Sequence, residues 1–437
     1  MLLIDKIRKD FKPYILTIFT VITILTLSST PENLFNNNLI KNNLYENIIF
    51  FKSTFPLIIF IIIVFIIIKE FREFQFIKNN LIFILFSFLI LLQIIGTITN
   101  SQNYIKNLYY IIPEVNIMFI SLILLRISNK NNLKFFFKIN LILFFIIFLY
   151  FFLTYMKYYL MFDNNFYSIW GNMKNNEDIP RPTGMARLAM IFSAYYCCCY
   201  ILQNKKYLFV LIFFNYLIFA FQSRIVIFAL LFICLILVLI KERYSIIKTI
   251  KYLILIFIIP FIISLFIDFS KREILFNDGS IFNDGSIFNE KFNNVRIFNS
   301  EINSKNFTSN RKQDWLNILK NFDKQRVFGY GIHGDRILIN QTASNGFLYS
   351  LASGGYLAAI TYCIICIYSL YLVNLALLKK KFNKYSWFAS SMIIFFLIRS
   401  MVENSFTIIS FDFIIFFSSI FYLEKIFFNK SKSKIKA

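Results

Sequence analysis

The sequence predicts an all-α, polytopic integral membrane protein of about 12 transmembrane helices. Three observations predict it. The chain of 437 residues is 58% hydrophobic and only 16% charged, with a mean hydropathy of +0.64, whereas soluble chains carry nearer a quarter charged residues. Its apolar residues come in long runs, many close to the ~20 residues that cross ~30 Å of hydrocarbon. Inside lipid every backbone polar group needs an internal partner, so such runs must be helical. Finally, Lys and Arg fall between the runs and are rich on every second side.

Taken in order, the apolar runs place helices at 13–28, 55–69, 81–98, 108–125, 135–156 and 186–203. Further helices are expected at 206–221, 224–240, 250–268, 346–377, 386–402 and 406–424. The cytoplasmic segments then carry Lys6, Arg8 and Lys9; Lys69, Arg72 and Lys78; Arg126, Lys130 and Lys134; Lys205 and Lys206. Lys241, Arg243, Lys248 and Lys251 follow, then Lys379, Lys380, Lys381 and Lys384, and a lysine-rich tail. A missed or invented helix would invert this alternation from that point on. The expected organisation is helices one to nine in 1–268, a large outer (periplasmic) loop in 269–345, and helices ten to twelve with a basic tail in 346–437. Both termini are expected in the cytoplasm. After Met1 a basic stretch leads into an uncleaved first anchor.

The net charge of +23 does not point to nucleic acid, because it lies in short segments between apolar runs and forms no continuous basic face. It is the footprint of the positive-inside rule, with anionic membrane lipids as partners. All six cysteines fall within apolar runs and read as small buried residues. Cys363 and Cys366 form a C-x-x-C, but inside a predicted helix with no second ligand pair, so no metal and no cofactor is expected.

The long outer loop contains a tandem repeat, Asn277 to Phe282 copied at 283–288, which suits a tolerant loop tip. From Arg311 to Phe322 the spacing turns helical, with Trp315, Leu316, Leu319 and Phe322 on one face. Charged residues near the bilayer are costly and are candidates for function. Arg187, Arg224, Arg311 and Arg399 stand out on the outer side. Arg399 and Glu403, at i and i+4, suit either a plain ion pair or a substrate contact. Arg224 suits phosphate or mere snorkelling to headgroups. Guanidinium forks bind phosphate oxygens with both charge and geometry, so outer arginines suit a pyrophosphate-bearing lipid. The single histidine, His333, follows the turn Phe328-Gly329-Tyr330-Gly331. It suits a general base, or an ordinary loop position. Asp335, Asp314 and Glu403 are further outer-side bases.

Five segments carry a resemblance. They are RPTGMARLAM (181–190), QSRIVIFALL (222–231), SNRKQDWLNILKNFDKQRVFGYG (309–331), ASNGFLYSLASGGYLAAI (343–360) and RSMVENSF (399–406). In this order around one outer loop, they resemble the bacterial O-antigen polymerase and O-antigen ligase superfamily over roughly the second half of the chain. The resemblance implies a metal-independent glycosyltransferase of the bacterial inner membrane, using a polyprenyl-diphosphate-linked oligosaccharide as donor. It implies diphosphate contacts from Arg224 and Arg311, with Arg187 and Arg399 as weaker counterparts, and a separate chain-length regulator as partner. The ligases carry a His-Asn pair after the Gly-x-Gly turn, and the aligned residues here are Ser344-Asn345. That departure favours polymerase over ligase, and leaves the base at His333 or elsewhere. A lipid-linked glycan flippase is the alternative of another class. Against it, the two halves show no repeat and no matched pair of broken helices.

Overall fold

The computed structural model describes residues 81–100, 130–162, 182–242, 245–264, 311–322, 327–378, 383–407 and 411–427, with isolated helical residues at 58, 61, 111–112 and 115–116. In chain order the helices are α1 (Leu81–Asn100), α2 (Lys130–Phe162), α3 (Pro182–Leu202), α4 (Leu208–Ala220) and α5 (Arg224–Lys241). Then come α6 (Ile246–Ser264), α7 (Arg311–Asn321), α8 (Gly334–Ile339), α9 (Gly346–Leu378), α10 (Lys384–Ser400) and α11 (Phe411–Phe427). There is no strand among the described residues. Six of these helices, α1, α2, α3, α5, α6 and α9, are long and apolar enough to cross a membrane, so the chain is a membrane protein whose described residues fold all-helically. The helices expected at 13–28, 55–69 and 108–125 lie almost wholly outside the described residues, as does all of 269–310.

The chain packs as two units. One holds Met1–Asn140, Arg311–Ala376 and Phe396–Ala437; the other holds Leu141–Asn310 and Leu377–Phe395.

The second unit is built from regular helices on an aromatic core. Phe192 and Phe214 stack at 4.9 Å, Phe148 meets both, and Tyr155 packs edge-on against Phe221. Helix α4 begins later than its apolar run because Asn204 caps a short 3-10 turn at Lys205–Tyr207, its side chain accepting from the Lys206 amide. Lys384 donates to Gln203 at 3.4 Å, so α10 starts where α3 ends. Lys205 and Lys206 share that end, while the tight turn Phe221–Ser223 closes the opposite one. The second unit therefore has a lysine-rich end and a lysine-poor end, as the charge alternation requires.

One helix of this unit is interrupted. Pro260 has no amide to give the Ile256 carbonyl, four residues back. The backbone answers with a π turn over Ile254–Ile258. Asn215 of α4 donates its Nδ2 to the Ile256 carbonyl at 2.6 Å, and its Oδ1 accepts from Ser193 of α3. A side-chain amide thus replaces the lost backbone donor and ties three helices together. The helix stays continuous.

In the first unit, α11 begins at Phe411 rather than 406, because Ser405–Thr407 form a separate 3-10 turn. Helix α7 covers the expected stretch with a different buried face. Ile318 and Phe322 are buried with Trp315 against them, whereas Leu316 and Leu319 are exposed. The core there is Ala343, Leu348, Tyr349, Leu351, Ala352 and Ala359. The run 346–377 is not one helix. At Gly355 the backbone turns to φ 73°, ψ −167°, a conformation open to glycine alone.

Candidate functional site

The break at Gly355 divides α9 into a half-helix, 346–354, and a long helix, 356–378, and the half-helix folds back along its continuation. Phe347 lies 6.4 Å from the Tyr362 ring, and a methyl placed on Gly346 would sit 3.1 Å from the Tyr362 hydroxyl. In a straight helix those sixteen residues would span about 24 Å, beyond a tyrosine's reach.

A break inside membrane helices leaves carbonyls without their i+4 amides, and each needs another donor. Here the Gly-rich turn supplies them. The Tyr330 amide donates to the Ala352 carbonyl at 2.7 Å, and the Gly331 amide to the Ser353 carbonyl at 2.9 Å. The next amide, Ile332, donates to Thr97 Oγ1 at 2.9 Å, which docks the turn on α1. Gly331, at φ 82°, stands so close to α1 that a β-carbon would lie 2.5 Å from the Thr97 nitrogen. The turn after Phe328 is therefore a backbone brace for the broken helix, and its glycines are needed because chains cross there.

At its other end the half-helix starts in a buried polar cluster. Asn345 is its cap, accepting from the Leu348 amide at 3.0 Å. The Asn345 amide donates to Asn404 Oδ1 at 3.1 Å and its Nδ2 to the Met401 carbonyl at 2.9 Å. Asp335 accepts from the amides of Ala343 at 2.7 Å and Arg336 at 2.9 Å, and from the Asn404 side chain. Burial pushes the Asp335 carboxyl above its usual range, with those hydrogen bonds pulling the other way. Both oxygens thus brace the loop. Beside them Tyr362 and Ser400 share a hydroxyl contact at 2.8 Å.

Arg399 and Glu403 pair as their spacing suggests, and Arg399 also grips Asp412 of α11. Asp412 is buried and Glu403 partly exposed. Sequence spacing exposes the i, i+4 half of this triad only. Asp412, like Asn404, belongs to the cluster through the fold.

His333 leads into α8 at φ 58°. Burial, and then the Arg336 charge, hold its imidazole down to about 4. It is neutral at neutral pH and a weak proton acceptor. Arg311 opens α7, one turn before Trp315, whose indole donates to the Ala343 carbonyl at 3.0 Å. Arg311 is half-buried on the face that packs toward the loop ending at Asn345. The first unit therefore gathers Asp335, Asn345, Arg399 and Glu403 into one region, with His333 two residues from Asp335.

Arg187 and Arg224 belong to the second unit. Cys197 of α3 and Cys234 of α5 meet with sulfurs 3.8 Å apart. Each arginine lies ten residues before its cysteine, on helices running the same way from the lysine-poor end. Both therefore sit about 15 Å from the cysteine pair, at one depth. Arg224 is exposed as the first residue of α5, and Arg187 is half-buried. A cation at a helix start opposes the helix dipole, so the placement favours an anion beside it. No group of three or more metal-ligating side chains occurs among the described residues. No protein family, curated protein or solved structure matches the chain.

Proposed function

We propose that the chain is a glycan-transferring enzyme of the bacterial inner membrane, a polymerase of O-antigen or a related surface polysaccharide. Its donor is a glycan carried on polyprenyl diphosphate, and its acceptor is a sugar hydroxyl at the outer face. In this reading the full chain has about 12 spans, the loop 269–345 lies outside, and both termini lie in the cytoplasm. The observation that carries it is the placement of Arg187 and Arg224 at one depth along α3 and α5, toward the lysine-poor end of these apolar helices. A diphosphate on a lipid presents its charge at that depth, and guanidinium groups bind its oxygens as charge develops on the leaving group. Phosphate contact is assigned to Arg224 and to Arg311. His333 is the proposed base for the acceptor's proton. Transfer to lipid A-core, the ligase reaction, uses the same donor. A separate chain-length regulator is the partner in the polymerase case.

Purified protein given polyprenyl-diphosphate-linked repeat units should yield a product ladder spaced by one repeat. Arg224→Ala and Arg311→Ala should each remove the ladder while eluting as wild type. Full-length polymer from both variants would overturn the arginine roles, and transfer onto added lipid A-core alone would make the enzyme a ligase.

The interrupted helices support a second reading, a flippase for the same lipid. Transporters commonly build their sites from discontinuous helices, and α6 and α9 are interrupted at Pro260 and Gly355. The two interruptions differ in kind, since only α9 folds back on itself. Movement of labelled lipid-linked glycan across proteoliposomes, without transfer, would establish the flippase and exclude the polymerase.

A further inference from the structure

At the lysine-rich end of the second unit four tyrosines form a continuous shelf. Tyr385 of α10 meets Tyr195 at 6.4 Å, Tyr195 meets its neighbour Tyr196 at 5.5 Å, and Tyr196 meets Tyr207 at 6.1 Å. An ammonium group closes each end. Lys384 lies 5.3 Å from the Tyr385 ring and 5.9 Å from Tyr195, and Lys206 lies 5.3 Å from Tyr207. The rings come from three separate helices or turns, so the shelf is made by the fold.

Its surroundings narrow what it can hold. Lys205 and Lys206 are exposed and Lys384 half-buried, and none of them pairs with a carboxylate among the described residues. Lys248 pairs with Glu242 instead. Phe209, the second residue of α4 and two positions after Tyr207, is 87% exposed, as a side chain lying among acyl chains would be. Tyrosine rings with polar tips suit the level of lipid headgroups.

We propose that this shelf binds acidic phospholipid, a phosphate being held by the lysine at either end, Lys206 or Lys384, with glycerol and hydroxyls resting on the half-buried rings of Tyr195, Tyr196 and Tyr207. The charge complementarity, the position at the ends of membrane helices and the exposed Phe209 select a lipid over a soluble anion. The site is independent of the glycan chemistry proposed above, and stands or falls separately.

Delipidated wild-type protein in detergent, titrated with phosphatidylglycerol and with phosphatidylcholine, tests this by native mass spectrometry. Phosphatidylglycerol should bind in preference, and Lys206→Gln/Lys384→Gln should weaken it about fivefold, since each phosphate loses one headgroup lysine. Lys206→Arg/Lys384→Arg should restore binding, and Tyr196→Phe/Tyr207→Phe should weaken it about threefold through the lost phenols. Equal binding of the two lipids would overturn the proposal. So would unchanged phosphatidylglycerol binding in the glutamine variant, or displacement of bound lipid by inorganic phosphate alone.

Discussion

Among the described residues each unit contains one interrupted helix, and the two are repaired by different means. In α6 the loss is a single amide, at Pro260, and one side chain makes it good: Asn215 reaches the Ile256 carbonyl from the neighbouring helix. In α9 the chain itself reverses at Gly355, and two carbonyls lose their helical partners. Backbone amides from a separate loop serve them, at Tyr330 and Gly331. The difference teaches a rule about tolerance. A side-chain repair needs the right amide in the right place, and its neighbours stay ordinary. A backbone repair needs two chains to approach within hydrogen-bond distance, so Gly331 and Gly355 at the crossing have no room for a β-carbon. The first arrangement forgives most substitutions around it, and the second forgives almost none.

The largest expected effect follows directly. Gly331→Val meets Thr97 of α1 with a branched side chain and forces a positive φ on a residue that resists it. Strain and overpacking together should cost about 4 kcal/mol or more. The variant should fail to elute as a folded species in mild detergent. A Gly331→Val protein with wild-type thermal stability would mean that the turn does not brace the break.

On the other side of the comparison, Asn215→Leu strips a donor from the Ile256 carbonyl and a partner from Ser193. Leaving those groups buried should cost about 1–3 kcal/mol, visible as a lower unfolding temperature. Pro260→Ala returns an amide to the Ile256 carbonyl, so Asn215→Leu/Pro260→Ala should recover much of the loss. Simple additivity of the two would show that Asn215 does not act through the proline.

A pH effect should appear in the first unit. His333 has its folded-state pKa lowered to about 4 from the ordinary 6.5. Its stability contribution is complete above pH 6.5 and is lost as pH falls through about 4. Asp335, raised by burial, works in the opposite sense: its contribution is complete below its usual pKa and fades as pH rises through the raised one. His333→Asn keeps a residue that tolerates positive φ and removes the opposing group. Unfolding temperature measured from pH 7 to 4.5 should fall in wild type more than in this variant. Parallel curves would place His333 in open solvent.

Much of this architecture is legible in the residues. Apolar runs locate helices to within a few positions, because length and hydropathy are local properties. The Arg399–Glu403 pair follows from a four-residue spacing, and the two positive φ values at Gly329 and Gly331 from the glycines themselves. The break in α9 is less legible. Ser353-Gly354-Gly355 hints at it, but whether a glycine pair bends or breaks depends on a donor from elsewhere, here Tyr330 and Gly331. Asp412 and Asn404 are invisible for the same reason, since their partners lie on other segments. The buried face of α7 is misread from spacing because Leu316 and Leu319 are apolar and exposed, while Ile318, with Phe322 and Trp315, meets the core. The tyrosine shelf joins residues of three segments, and only Tyr195 and Tyr196 are neighbours in the chain.

The smallest effect is the sharpest control on the rule. Gly184 lies in the first turn of α3, and a β-carbon there would meet nothing within 4 Å. No chain crosses it and no positive φ requires it. Alanine has the higher helix propensity and reduces the freedom of the unfolded chain. Gly184→Ala should therefore leave the protein unharmed or stabilise it by about 0.5–1 kcal/mol, seen as a slightly higher unfolding temperature. If Gly184→Ala were as damaging as Gly331→Val, close backbone approach could not be what separates the glycines that matter from those that do not. A small gain beside a large loss, from the same class of substitution, would assign that difference to the crossing of chains at α9.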